Sequence, residues 1–523
     1  MKTLRSIFQG RLAPYFAAVI SVFYFLLIGF RGFTSATLDW LERSRQMAGE
    51  LRDAPGAFAD WEAHSHGLAD IVGALVYAAV PGAAEWILFA MSVLCGALAT
   101  GLVFALAARL SGAIGGWMAL FFLLVTAPWM GLFTRVDPTF LLVPVVLGFF
   151  AVWYAFRLPW WKRCLASAPI MTAGVLLWPG FAIIIGLLLV VELLYPPQRC
   201  DADSPGLIDG PRLSLDRLLA PLAALILLLC YPLFWPDPVD GVLQYFLAAL
   251  EVPATEFVFR AEAYPPARPP LYTGAAWIFE QLPLATVFAF ICGILWCFVD
   301  LRSPHRRLAI GFAVVASALL VFPVLFRSPR PLGAEFGVLF IATGLPLAVR
   351  VLCRFFSHAL GRSAPSKKVR QVAIVTFLLA GISILIETPR AIQSPESFRS
   401  PMTARLVGWS ASGDMPMREQ ILPLALIDDV TDPDDVTYLY SAGWEEYLER
   451  YEKMRLLRGI ETTAEATGAD VAIRPVPAIS ADRFSVYHAT HLPALENSQT
   501  DVVPAIHRPL FLIDRRSDDL EKP

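Results

Sequence analysis

The chain has 523 residues, of which 56% are hydrophobic and 17% charged, with a mean hydropathy of +0.58. An average soluble domain carries about 25% charged residues, so an ordinary soluble protein is excluded over most of the length. A formal net charge of −3 and a pI near 6.2 exclude the basic surface that nucleic-acid binding requires.

Residues 1–11 are basic and lead into the apolar run 12–30. The next residues are Arg31-Gly32-Phe33, with no small-residue cleavage site. The run is long enough to cross a hydrocarbon core of ~30 Å, so it reads as an uncleaved first span. Ten further apolar runs follow at 84–108, 113–132, 138–156, 165–179, 180–195, 218–235, 283–301, 308–326, 335–352 and 371–387. The two short ones meet at Trp178-Pro179-Gly180, which reads as a tight hairpin.

The basic residues orient these spans. With a cytoplasmic N-terminus and eleven crossings, the inside connectors collect Lys2, Arg5, Arg11, Arg109, Arg157, Lys162, Arg163 and the cluster 350–370. Bias of this kind is the positive-inside signature. It puts the C-terminal tail on the outside. The expected fold class is an all-α polytopic membrane domain of about eleven helices with interfacial amphipathic helices, residues 1–388, plus a small α/β soluble domain, 389–523. In that tail, 436–441, 470–476, 483–489 and 509–514 read as strands, with Trp444, Tyr447, Leu448, Tyr451 and Met454 at helical spacing. The seven cysteines show neither a disulfide framework nor metal-ligand spacing.

Polar residues avoid the span centres and gather in the outside connectors, which favours surface chemistry over transport through the middle. The first connector, 31–83, holds an amphipathic helix with apolar residues at 38, 41, 47, 48 and 51, then a second helix from His66 through Tyr77. Asp39 opens the first of these, either as a first-turn acid favoured by the helix dipole or as a functional carboxylate. The second connector is Thr134-Arg135-Val136-Asp137-Pro138, where Asp137 caps the next span and is equally available for chemistry. The connector 236–282 carries the proline-rich Tyr264–Tyr272 segment, an extended lid against the membrane surface. Arg327 and Arg330 precede the tenth span, either snorkelling or clamping a phosphate.

Together these features resemble the C superfamily of membrane glycosyltransferases. They are similar to the bacterial and archaeal relatives of the dolichyl-phosphate-mannose protein mannosyltransferases and to the aminoarabinose transferases that modify lipid A. The resemblance covers residues 10–390. It rests on the acid and small-residue helix Asp39–Ala48, on His64-Ser65-His66-Gly67-Leu68, on Arg135-Val136-Asp137-Pro138, and on the 264–283 stretch with Arg327 and Arg330. The sequence departs from the family in having Trp40 directly after Asp39, and no prolines beside the histidines.

The resemblance implies transfer of a sugar from a polyprenyl-phosphate-linked donor to a protein, lipid or glycan acceptor at the extracytoplasmic face of the cell membrane. Asp39 is then the base and Asp137 a second acid. Arg135, His64, His66, Arg327, Arg330, Tyr264 and Tyr272 contact substrate. No protein metal site is assigned, while a divalent cation stays open. The competing readings are a polysaccharide polymerase or ligase, a lipid or small-molecule transporter, and a non-catalytic scaffold of envelope assembly.

Overall fold

Ala13, Ala17, Ser21, Phe25 and Ile28 recur at helical spacing and form the buried stripe of helix α1 (Ala13–Ile28). Its other side is just as apolar, with Tyr15 and Phe23 each 70% exposed and Leu27 86% exposed. A helix apolar all round is stable only where its outer face also avoids water, which is the situation of a membrane span. Gly29 ends it at φ 75°, a conformation that costs a Cβ-bearing residue, and donates its N–H to the Phe25 carbonyl.

The structure is a computed structural model that describes most of residues 12–250, its longest gaps there being 54–66 and 195–214. Beyond them it describes the strands at 257–264 and between 437 and 516, with Arg450, Met454 and a few isolated positions. Two helices follow α1, namely α2 (Ser35–Asp53) and α3 (Gly67–Ala79). A 3₁₀ turn at Pro81–Ala83 then leads into α4 (Ala84–Leu124). After these come α5 (Ala127–Thr134), α6 (Thr139–Phe150) with a π turn at Ala151–Ala155, α7 (Trp160–Leu177) and α8 (Phe181–Leu194). The last helices are α9 (Leu215–Leu229) and α10 (Pro238–Leu250).

The apolar runs expected between residues 13 and 235 fall on helices of this series. Gly112, at φ 79°, breaks α4 into two arms. Phe104 and Trp117 lie on opposite arms with ring centroids 5.0 Å apart. Thirteen residues of straight helix would separate them by ~20 Å, so the chain turns back at Gly112. Within the run expected at 113–132, residues 125 and 126 lie outside the described residues, and Pro128 stands in the first turn of α5, where its missing N–H costs no helical bond. Residues 178–180 interrupt the chain between α7 and α8, and a Cβ on Gly174 would collide with the Phe181 ring. The helices therefore fold against each other there, as the Trp-Pro-Gly sequence predicts. Among the described residues, one continuous helix, Pro81–Arg109, is long and apolar enough to cross a membrane unaided, and shorter apolar helices accompany it. The runs at 283–301, 308–326, 335–352 and 371–387 lie outside the described residues except for Ile310, Gly311, Val314 and Gln371.

Helices α2 and α3 pair through small residues. Leu38, Trp40, Leu41, Ser44 and Ala48 are buried on α2, and Gly67, Ala69, Asp70, Gly73, Ala74 and Tyr77 on α3. A Cβ at Gly73 would stand 2.8 Å from the Ser44 Cβ and 3.2 Å from the Trp40 ring, so the crossing requires glycine. Arg52 closes the pair by donating to the carbonyls of Tyr77 (2.9 Å) and Ala78 (3.2 Å), two of the groups a helix end leaves unmet. Gly73→Val is expected to destabilise the protein by about 1–3 kcal/mol through overpacking. Gly49, with nothing within 4 Å of an added Cβ, is the control. Gly49→Ala should raise the melting temperature in detergent where Gly73→Val lowers it.

Two sheets are present among the described residues. A hairpin pairs β1 (Phe257–Phe259) with β2 (Glu262–Tyr264). Tyr264 therefore ends a strand, and the rest of the expected proline-rich lid, 265–272, lies outside the described residues. In the tail, β3 (Thr437–Ser441), β4 (Ile460–Thr462), β5 (Val471–Pro475), β6 (Ser498–Pro504) and β7 (Pro509–Arg516) form one sheet in the order β4-β3-β5-β7-β6. Strand β3 is parallel to β4 and β5, and β7 is antiparallel to β5 and β6. Three of the expected strands are present. Strands β4 and β6 were not anticipated, and the run at 483–489 lies outside the described residues. A parallel β3–β4 pair needs a crossover, and the helical bond from Met454 N–H to the Arg450 carbonyl lies within it.

Candidate functional site

Asp137 sits in the elbow between α5 and α6 and is 4% exposed. One of its carboxylate oxygens accepts hydrogen bonds from the Thr139 backbone N–H at 2.9 Å and from the Thr139 hydroxyl. Its own carbonyl accepts from Phe140 N–H at 3.0 Å. The side chain therefore caps α6, as the Asp-Pro sequence predicts. Val136, Phe133 and Phe140 are fully buried around it, which holds the carboxylate in an apolar frame.

Asp39 has its backbone in α2, the fifth residue of a helix that begins at Ser35. The expectation that it opens the helix is corrected accordingly: the helix starts one turn earlier and no acid stands in its first turn. Trp40, the next residue, is fully buried and packs edge-to-face on Phe140 at 6.5 Å between ring centroids. The stretch bearing Asp39 is thereby joined to the start of the helix that Asp137 caps. Of the other expected site residues, Tyr264 is described only in its backbone, at the end of β2. Arg135, His64, His66, Tyr272, Arg327 and Arg330 lie outside the described residues.

A second acid, absent from the sequence expectations, lies close by. Asp70 is 1% exposed on α3, with Arg43 Nε from α2 at 3.7 Å from its Oδ1. Among the described residues no hydrogen bond reaches either Asp70 oxygen, nor the neighbouring Trp40 Nε1, Arg43 Nε and Ser44 Oγ. Burial pushes the Asp70 carboxyl up to about 6, against the opposing charge of Arg43. Burial, followed by the charge on Asp70, also raises the phenol of Tyr245 on α10. The Tyr245 hydroxyl is directed at the carbonyls of Val175 and Leu176, each at 2.9 Å. A legible signal was available: Asp70 is the one acid of Gly67–Ala79, in phase with Gly73, Ala74 and Tyr77 on the buried stripe.

The sign of this shift fixes a prediction. Between about pH 4 and 6 the folded carboxyl keeps a proton that the unfolded chain has lost. Stability therefore falls as the pH rises through that window and is lowest above it. The gap between 3.8 and about 6 corresponds to at most ~3 kcal/mol. Asp70→Asn should flatten the pH dependence of the melting temperature between pH 4.5 and 7, and melt no lower than the parent at pH 7.5. A parent whose melting temperature rises across that interval would contradict it. A carboxylate kept at a cost to stability is the kind of group that function retains.

A third cluster joins the tail to the first connector. Arg450, 6% exposed, reaches Glu42 Oε2 on α2 at 3.4 Å, the Tyr77 hydroxyl on α3 at 3.4 Å and Glu85 Oε1 on α4 at 3.5 Å. The Tyr77 hydroxyl in turn donates to Glu85 at 2.8 Å. Burial first, then the Glu85 carboxylate, pushes the Tyr77 phenol up, so it stays a proton donor. Nothing local in the tail sequence signals this contact, because its partners are about 370 to 410 residues distant (373 to Tyr77, 408 to Glu42). Among the described residues, no group of three or more His, Cys, Asp or Glu side chains is placed to hold a metal ion.

No protein-family model and no curated protein sequence matches the chain. Among solved structures, the chain is similar to ArnT from Cupriavidus metallidurans. In its form bound to undecaprenyl phosphate the identity is 14%, the match covers 98% of each chain, and the TM-score is 0.45. In the apo state the identity is 15%, over 97% of this chain and 98% of that one, with a TM-score of 0.46. The chain is also similar to the oligosaccharyltransferase AglB from Archaeoglobus fulgidus, in complex with an inhibitory peptide and a dolichol-phosphate. There the identity is 13%, over 88% of this chain and 69% of that one, with a TM-score of 0.44.

Proposed function

We propose that this chain is an integral membrane glycosyltransferase that moves a sugar from a polyprenyl-phosphate carrier to an acceptor on the extracytoplasmic face. The observation that carries the reading is the meeting of two acid-bearing stretches at the end of the bundle: Trp40, beside Asp39, packs on Phe140, three residues after Asp137. A transfer to a hydroxyl needs a base near an apolar boundary, where a carboxylate is strengthened as a proton acceptor.

In this reading Asp39 takes the proton of the acceptor hydroxyl as its oxygen attacks the anomeric carbon from the face opposite the phosphate. The bond from that carbon to the phosphate oxygen breaks, the sugar inverts, and polyprenyl phosphate leaves as the anion. Asp137 orients the acceptor, with Arg135 two residues away. Arg327 and Arg330 clamp the phosphate with planar guanidinium groups, the shape best matched to it. His64, His66, Tyr264 and Tyr272 contact the sugar or the carrier headgroup.

The deciding experiment supplies the purified chain, in nanodiscs, with radiolabelled polyprenyl-phosphate sugars and a membrane extract as acceptor source. Release of polyprenyl phosphate together with label in an acceptor is the expected result. Translocation of the labelled lipid with no release would favour the transporter reading. Label appearing as a growing glycan chain would favour the polymerase.

A further inference from the structure

We propose that Arg450 is a positioning residue through which the C-terminal tail holds α2, and with it Asp39, in place for transfer. This rests on the reading of Asp39 as the base. The Arg450 side chain is 7% exposed. A cation this buried is costly unless its donors are met, and here they meet three helices at once, through Glu42 of α2, Tyr77 of α3 and Glu85 of α4. A guanidinium offers five N–H donors in a rigid fork, which lets one side chain fix several partners in one plane. One helical turn later Met454 is 4% exposed and joins the hydrophobic core that includes Trp40, Leu41 and Tyr77. The tail is thus seated by one ionic and one apolar anchor on the same turn.

Glu42 makes this a matter of positioning. Its side chain is 61% exposed, so its pairing adds little to stability. It lies three residues after Asp39, while Arg43 beside it is held by Asp70 of α3. Consecutive residues of α2 are therefore gripped by different elements, and α2 cannot rotate about its axis without breaking one of the two contacts.

The test uses the full chain in nanodiscs carrying Arg450→Gln, Arg450→Lys, Glu42→Gln and the double variant Arg450→Gln/Glu42→Gln. Displacement of a reacting group by about 1 Å costs up to ~100-fold in rate. Arg450→Gln should therefore lower kcat about 10- to 100-fold with the donor KM within about twofold. Arg450→Lys should recover part of the loss. Glu42→Gln should lower kcat several-fold, and the double variant should be no worse than Arg450→Gln alone, since coupled partners are not additive.

A seating readout independent of activity is the maleimide labelling of Ala48→Cys, at a buried position on α2, which should quicken at least tenfold in the Arg450→Gln background. Folded Arg450→Gln with unchanged kcat, or unchanged labelling, overturns the proposal. Should Arg450→Gln fail to fold, Glu42→Gln decides in the same two ways. Asp39→Asn runs in parallel. Full activity there removes the base assignment and leaves α2 seating to the labelling. Loss of activity there with wild-type behaviour in both clamp variants removes only the role of Arg450.

Discussion

Asp39→Asn is expected to lower sugar transfer by about 10²- to 10⁴-fold, the range that loss of a positioned general base produces. The substitution keeps shape and removes the proton-accepting charge. The fold should tolerate it well. Residue 39 lies in the second turn of α2, between buried Leu38 and Trp40, which supply the packing on either side. The measurement is single-turnover transfer with a saturating polyprenyl-phosphate donor, alongside melting in detergent. The expected pattern is a collapsed rate, an unchanged donor affinity and a melting temperature near that of the parent. Wild-type turnover by Asp39→Asn would remove it as the base.

Asp137 separates capping from chemistry in one pair of substitutions. Asparagine offers a carbonyl oxygen to the Thr139 N–H and hydroxyl that the carboxylate now serves, so the cap on α6 survives. Asp137→Asn is therefore expected to melt close to the parent while transfer falls by about 10²-fold or more. Asp137→Ala loses the cap as well and should be less stable by about 1 kcal/mol. If Asn and Ala lost stability equally and both kept transfer, Asp137 would be a cap and nothing more.

The sequence and the structure agree best where a single physical signal acts over one element. The first connector was legible because apolar residues at 38, 41, 48 and 51 have one helical phase, and the same phase is buried or half-buried in α2. The break at 178–180 was legible because proline and glycine adjoin there. Asp137 was legible as a cap because an acid before Pro138 leaves little else for the backbone to do. Residues escaped where their contacts are long-range. Asp70 reads as one polar position on an apolar helix until Arg43 is placed beside it. Arg450 reads as an ordinary surface cation until its three partners are assembled. The short strand β4, Ile460–Thr462, carries no alternating pattern long enough to register and is held by its pairing to β3.

The approach of Arg450 to Glu85 also constrains the chain between them. In the expected topology Glu85 opens the second span, and Arg450 returns to that same end. In that topology the polypeptide from 85 to 450 crosses the membrane an even number of times. The ten apolar runs from 84–108 to 371–387 satisfy this parity. Fusing the two runs on either side of Pro179 would leave nine and strand the tail across the bilayer from its partners. Any revision of the topology has to add or remove crossings in pairs.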